Sequence, residues 1–177
     1  MLTTANKTPE VHGYSIWLIP EQEISALLSE SIQELATHFQ ADSFQPHITL
    51  LGQLAGELDS ILPQFEKLGT PDAPIVLQAE SIESEAFYFR ALVYQILSNP
   101  GLEAFNQKVR EKFKRESDPP FYPHLSLLYS RASEAQKVSV LSKMQLPERL
   151  SISIESLALV KTHGPVRDWE TLATLDF

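Results

Sequence analysis

The chain of 177 residues contains no cysteine. That removes disulfides, thiolate nucleophiles and cysteine-ligated zinc, and it fits the reducing cytoplasm, the compartment expected for this protein. Basic residues are scarce, with 14 Lys and Arg against 23 Asp and Glu and a net charge of −9. A protein that holds long nucleic acid by its phosphates presents a basic face. The one basic run, KVREKFKR from Lys108 to Arg115, has the pattern of a helix's solvated side. Extended nucleic acid is therefore not an expected partner, whereas a small phosphorylated ligand is compatible with the charge. No apolar run approaches the roughly 20 residues that a membrane helix needs, so no membrane partner is expected. The opening MLTTANKTPE lacks the apolar centre of a signal peptide, and residues 1–11 read as a flexible tail.

Hydrophobic residues make up 43% and charged residues 21%, which suits one compact domain over 1–177, expected as a monomer. GYSIWLI, from Gly13 to Ile19, has the β-branched and aromatic character of a strand and is closed by Pro20. Ile24, Leu27, Leu28, Ile32, Leu35 and Phe39 follow at helical spacing. PHITLL reads as a strand, because proline is tolerated at a strand's start. A helix carrying Leu58, Ile61, Leu62, Phe65 and Leu68 comes next, then IVLQAESI and AFYFRALVYQIL as a hairpin. The second half repeats that order. A helix carries Leu102, Phe105, Val109 and Phe113, the strand HLSLLY follows, and a helix covers about 134–144. LSISIESLALVKT and DWETLATLDF then form the closing pair. The expectation is α+β: a duplicated, bilobal fold of antiparallel sheets flanked by helices, with a cleft between two pseudo-symmetric lobes.

The repeat carries a second repeat inside it. FQPHITLLG begins at Phe44 and FYPHLSLLYS at Phe121, so Phe-x-Pro-His-x-(Thr/Ser)-Leu-Leu is written twice. In a strand, residues i and i+2 point the same way, so His47 shares a face with Thr49 and His124 with Ser126. Among five histidines, roughly one lone His-x-(Ser/Thr) is expected by chance, and a single copy would describe a core histidine as well as a catalytic one. Two copies in one extended frame, at matching places in a repeated order, point to paired half-sites. Two imidazoles beside two hydroxyls suit phosphodiester cleavage. One histidine activates the attacking oxygen, the other protonates the leaving oxygen, and the hydroxyls donate to the phosphoryl oxygens. His12, His38 and His163 have no hydroxyl two positions on and are expected at the surface. There is no His-Glu-x-x-His and no carboxylate–histidine set at ligand spacing, so no metal or other cofactor is expected.

With YSIWLIP, FYFRALVY, PHLSLLYS and SLALVKT before WETL in the same order, the chain resembles the two-histidine phosphoesterase superfamily. Within it, the resemblance is to the cyclic phosphodiesterase family of plants and fungi, over about Gly13 to Leu175. It implies a bilobal fold and metal-independent hydrolysis of cyclic phosphates. The implied reactions take ADP-ribose 1″,2″-cyclic phosphate to the 1″-phosphate, and nucleoside 2′,3′-cyclic phosphates to 2′-phosphates. It makes His47, Thr49, His124 and Ser126 catalytic, with His124 favoured as base and His47 as acid. It places Trp17, Phe89 and Tyr129 around the substrate, where aromatic rings can stack on a base or ribose. Plant members carry cysteine pairs, so regulation by disulfides does not transfer. Arg90 and Lys161 are candidates for positive potential at the site. RNA end processing and a non-catalytic nucleotide-binding module are the alternatives.

Overall fold

The computed structural model describes residues 9, 11–71, 73–97 and 99–177. The tail expected over 1–11 falls outside these except for Pro9 and Val11, and Val11 bridges to Gly164. Among the described residues no helix is long and apolar enough to cross a membrane.

Among the described residues, seven strands and four α-helices follow one another along the chain. They are β1 (Tyr14–Pro20), α1 (Gln22–Phe39), β2 (Ile48–Leu54), α2 (Leu58–Glu66), β3 (Val76–Ser84), β4 (Leu92–Ile96), α3 (Pro100–Lys112), β5 (His124–Leu128), α4 (Glu134–Leu141), β6 (Leu150–Lys161) and β7 (Glu170–Asp176). Local chemistry sets several boundaries. Asn99 Oδ1 accepts from the Gly101 and Leu102 amides at 2.9 and 3.1 Å, with Pro100 at the first helical position of α3. Ser133 and Gln136 form a reciprocal capping box at the start of α4. The helical stripes read from sequence bury Leu28, Ile32 and Leu35 in α1 and Leu102, Phe105 and Val109 in α3.

Every pairing is antiparallel, and the sheet runs β1–β2–β5–β4–β3–β6 before β6 pairs back with β1; β7 is added on β6. This corrects the expectation of a separate sheet in each lobe. The sheet is continuous and closes on itself, because β1 has a partner on both edges: β2 on one and β6 on the other. The long apolar run AFYFRALVYQIL is also not one strand. A turn of 3₁₀ helix, Tyr88–Arg90, interrupts it before β4 begins.

The join between β2 and β5 is the narrowest in the sheet, a single register pair, Ile48 with Leu125. Side-chain parity then divides the strands. Ile16, Leu18, Ile48, Leu50, Leu125 and Leu127 enter the main core beneath the helices. Trp17, His47, Thr49, His124 and Ser126 line the opposite side, around a cavity of about 660 Å³. Asn106 of α3 is buried and donates to the Leu50 carbonyl at 2.7 Å, tying that helix to β2 directly behind the first motif.

Candidate active site

The Ile48–Leu125 pair fixes how the two motifs meet. Extending that antiparallel register by one residue each way sets His47 opposite Ser126 and Thr49 opposite His124. Each imidazole therefore faces the other motif's hydroxyl, with the apolar pair between them turned into the core. The sequence predicted shared faces within each motif, and the structure brings all four side chains to one cavity.

Both rings are held by the same local device. His47 Nδ1 lies 2.6 Å from the Gln45 carbonyl, and His124 Nδ1 lies 2.9 Å from the Tyr122 carbonyl. A carbonyl only accepts, so each Nδ1 carries the hydrogen and each Nε2 is left for the cavity. Pro46 and Pro123 precede the histidines and hold the chain extended, which carries the carbonyl two residues back to the ring.

The surroundings differ. His47 is 5% exposed, and Trp17 stacks on its ring with centroids 3.6 Å apart and planes 9° from parallel. Burial pushes its pKa down from 6.5 to about 4; the Gln45 hydrogen bond opposes the shift, and the charge of His124 adds to it. His124 is half-buried. Burial lowers its pKa as well, opposed by its Tyr122 hydrogen bond, with Arg90 lowering it further and Glu85 raising it. Glu85 accepts from Arg90 Nε at 3.1 Å and from the Tyr122 hydroxyl at 3.2 Å, so a charged cluster stands beside the second imidazole.

The hydroxyls differ too. Thr49 Oγ1 has no hydrogen-bond partner among the described residues, whereas Ser126 Oγ donates to the Phe89 carbonyl at 2.9 Å. Burial holds the nearby Tyr129 hydroxyl protonated far above the ordinary tyrosine range, with Ser126 opposing the shift. Trp17, Phe89 and Tyr129 all line the cavity. Trp17 covers His47, and Tyr129 stacks on Phe44 at 3.8 Å while meeting Phe89 edge-on at 5.2 Å. Arg90 lines the cavity as well. Lys161, at the far end of β6, is exposed and does not. His12, His38 and His163 are all exposed.

Sequence reasoning did not single out Trp169, Arg131, Phe87 or the buried Ser15–Thr162 hydroxyl pair, all of which line the cavity. Trp169 follows a 3₁₀ turn and reaches within about 6 Å of Trp17, Phe89 and Tyr129. Loops and turns deliver Trp169, Arg131 and Phe87, where no spacing rule marks them, whereas Ser15 sits on β1 two residues before Trp17 and shares its face. Among the described residues no group of three or more His, Asp or Glu side chains is arranged to hold a metal ion.

Known proteins share this fold and family. A cyclic phosphodiesterase of Arabidopsis thaliana is 24% identical over 167 residues, covering 90% of this chain and 92% of its own. A 2′,3′-cyclic-nucleotide 3′-phosphodiesterase of Yarrowia lipolytica is 26% identical over 218 residues, covering 93% and 100%. E. coli LigT, solved in complex with 3′-AMP, superposes with a TM-score of 0.61 at 16% identity, covering 96% of this chain and 99% of its own. A crystal structure of a Thermus thermophilus protein gives 0.62 at 20% identity, covering 92% and 96%. At these identities the structural likeness shows a shared fold. The sequence model described as cyclic phosphodiesterase-like protein matches residues 12–177, nearly the whole chain. The chain belongs to the cyclic phosphodiesterase-like family.

Proposed function

We propose that this protein hydrolyses cyclic phosphodiesters of small nucleotides with the paired His-x-(Thr/Ser) motifs and no metal. The substrates are nucleoside 2′,3′-cyclic phosphates, opened to 2′-phosphates, and ADP-ribose 1″,2″-cyclic phosphate, opened to the 1″-phosphate. The supporting observation is the matched pair of Nδ1–carbonyl bonds, which leaves two Nε2 atoms for one cavity, each ring opposite a hydroxyl. The two motif strands meet at the β2–β5 seam, and the phosphate sits over that seam.

One imidazole takes a proton from water as its oxygen bonds to phosphorus. The phosphorus–oxygen bond to the ribose breaks, and the other imidazole gives its proton to that oxygen. Thr49 and Ser126 donate to the non-bridging oxygens as charge gathers there. For Ser126 this means releasing the Phe89 carbonyl and turning its hydrogen inward. His124 is the base and His47 the acid. In the free enzyme burial disfavours the His47 imidazolium, so its proton is acquired with the anionic substrate, whose charge raises the affinity of both rings. The Trp17 face beneath His47 favours the same charged form.

The direct test is to offer the purified protein both cyclic phosphates and a short RNA with a 2′,3′-cyclic end, reading products by phosphorus NMR. Ring opening of the small substrates to the named isomers is expected. Turnover of the RNA alone would replace this reading with RNA end processing, and no turnover of any of the three would leave a binding module.

A further inference from the structure

The three aromatics first assigned to the substrate are engaged with one another or with the catalytic ring. Trp17 is spent on His47, Tyr129 on Phe44, and half-buried Phe89 lies between the edge of Tyr129 and the ring of Trp169. The cavity's open ring is elsewhere. Phe87 is 62% exposed and lines the cavity on the His124 side.

A solitary exposed phenylalanine is ordinary, but two observations set this one apart. Its loop is pinned from every direction. Lys137 of α4, only 3% exposed, donates to the Glu85 carbonyl at 2.7 Å, and the Arg90 amide donates to the Phe87 carbonyl at 3.0 Å. The Ser130 amide donates to the Tyr88 carbonyl at 3.0 Å, and Ser126 Oγ to that of Phe89 at 2.9 Å. Behind the ring runs an ordered ladder. The Arg90 guanidinium lies 4.6 Å from the Phe87 centroid and 5.2 Å from that of Tyr122, which in turn stacks on His124 at 5.3 Å. Glu85 clamps both Arg90 and Tyr122. One face of Phe87 is thus backed by a cation and the ring is held in place before any ligand arrives, which spares the ordering cost that weakens a floppy contact.

We propose that Phe87, backed by Arg90 and Tyr122, is the platform on which the nucleobase of the substrate stacks, so that the enzyme prefers cyclic phosphates carrying a base. This rests on the cyclic phosphodiesterase reading above. Stacking on an aromatic side chain is worth enough to change affinity by about tenfold or more per base.

The experiment compares a nucleoside 2′,3′-cyclic phosphate with a base-free one, glycerol 1,2-cyclic phosphate, in the native enzyme and in Phe87→Ala and Phe87→Trp. Phe87→Ala should shrink the KM discrimination between the two substrates by about tenfold, with kcat on the nucleotide little changed, and Phe87→Trp should restore it. Calorimetric titration with the nucleoside 2′-phosphate product supplies a readout that needs no turnover, and the same weakening and rescue are expected there. Discrimination and product affinity that are equal in all three proteins would overturn the proposal. So would a Phe87→Ala variant whose only change is lost self-association, since the ring would then serve a protein contact. Failure of the native enzyme on both substrates would instead sink the cyclic phosphodiesterase reading, and product titration would still decide the platform.

Discussion

His47 and His124 each donate Nδ1–H to the carbonyl two residues back, yet one ring is sealed beneath Trp17 and the other stands half-open beside Tyr122, Arg90 and Glu85. The hydroxyls are as unequal: Thr49 is unengaged among the described residues, and Ser126 is already bonded to Phe89. The motif supplies two equivalent arms, and their neighbours make them different. Acid–base catalysis needs that inequality, since two identical imidazoles would hold their protons alike.

Removing either imidazole breaks the comparison outright. His47→Ala and His124→Ala should each lose about 10² to 10⁴ in turnover, and the double variant little more, because the pair acts as a unit. A p-nitrophenyl phosphodiester sharpens the roles, since its leaving group departs without a proton. On it the acid variant, assigned as His47→Ala, should lose far less than on a nucleoside cyclic phosphate, while His124→Ala should lose equally on both. The opposite pattern would exchange the roles.

Hydroxyl removal should cost about 10² to 10³ at either position, with Thr49→Ser much milder than Thr49→Ala. Equal losses from Ser and Ala at 49 would assign that side chain to packing instead. Ser126→Ala additionally strips the Phe89 carbonyl of its donor, so of the two alanine variants it should melt at the lower temperature.

The buried ring also leaves a mark on stability. With the folded pKa of His47 near 4 and the unfolded value at 6.5, the unfolded chain binds the proton first as pH falls. Stability is whole above pH 6.5 and declines toward pH 4, by about 3 kcal/mol from this residue. Urea unfolding at stepped pH should show that slope in the native protein and lose it in His47→Asn, with a smaller change in His124→Asn. Identical slopes in all three proteins would contradict the burial asymmetry.

Turnover should report the same electrostatics more gently. Both free-enzyme imidazoles titrate below 6.5, so the bell for kcat/KM should peak below pH 6.5. The bell for kcat should peak higher, because the bound phosphodiester raises both rings; its limbs belong to the pair and not to single residues. A kcat/KM maximum above about pH 7.5 would refute the buried, neutral resting state. The smallest expected effect is none: dialysis against EDTA should leave the rate unchanged. Activity lost to the chelator and restored by Mg²⁺, Mn²⁺ or Zn²⁺ would end the metal-free mechanism.

Much of this was legible in the sequence because it is local. Period-two parity put His47 with Thr49 and His124 with Ser126 on one face, and helical stripes located the buried sides of α1 and α3. The closure of the sheet was not legible. Which edge of β1 meets β6 is decided between residues such as Trp17 and Ala158, far apart in the chain, and no local pattern encodes their register. The 3₁₀ turn at Tyr88–Arg90 hid inside an apolar run that reads as strand, since its hydrophobic residues serve the cavity and not a sheet face. Glu85 and Lys137 were equally silent, because a buried lysine and a paired carboxylate look in sequence like any surface charge.

The return of β6 to β1 also governs when this protein can fold during its synthesis. Trp17 and its neighbours leave the ribosome first, but their β6 partners follow about 140 residues later. At about 5–20 residues per second, that is a wait of roughly 7 to 28 seconds. Throughout it an apolar strand has β2 on one side and an unsatisfied edge on the other, the kind of edge that recruits foreign strands. A nascent chain stalled before Leu150 should therefore depend on chaperones that a chain extended past Lys161 no longer needs.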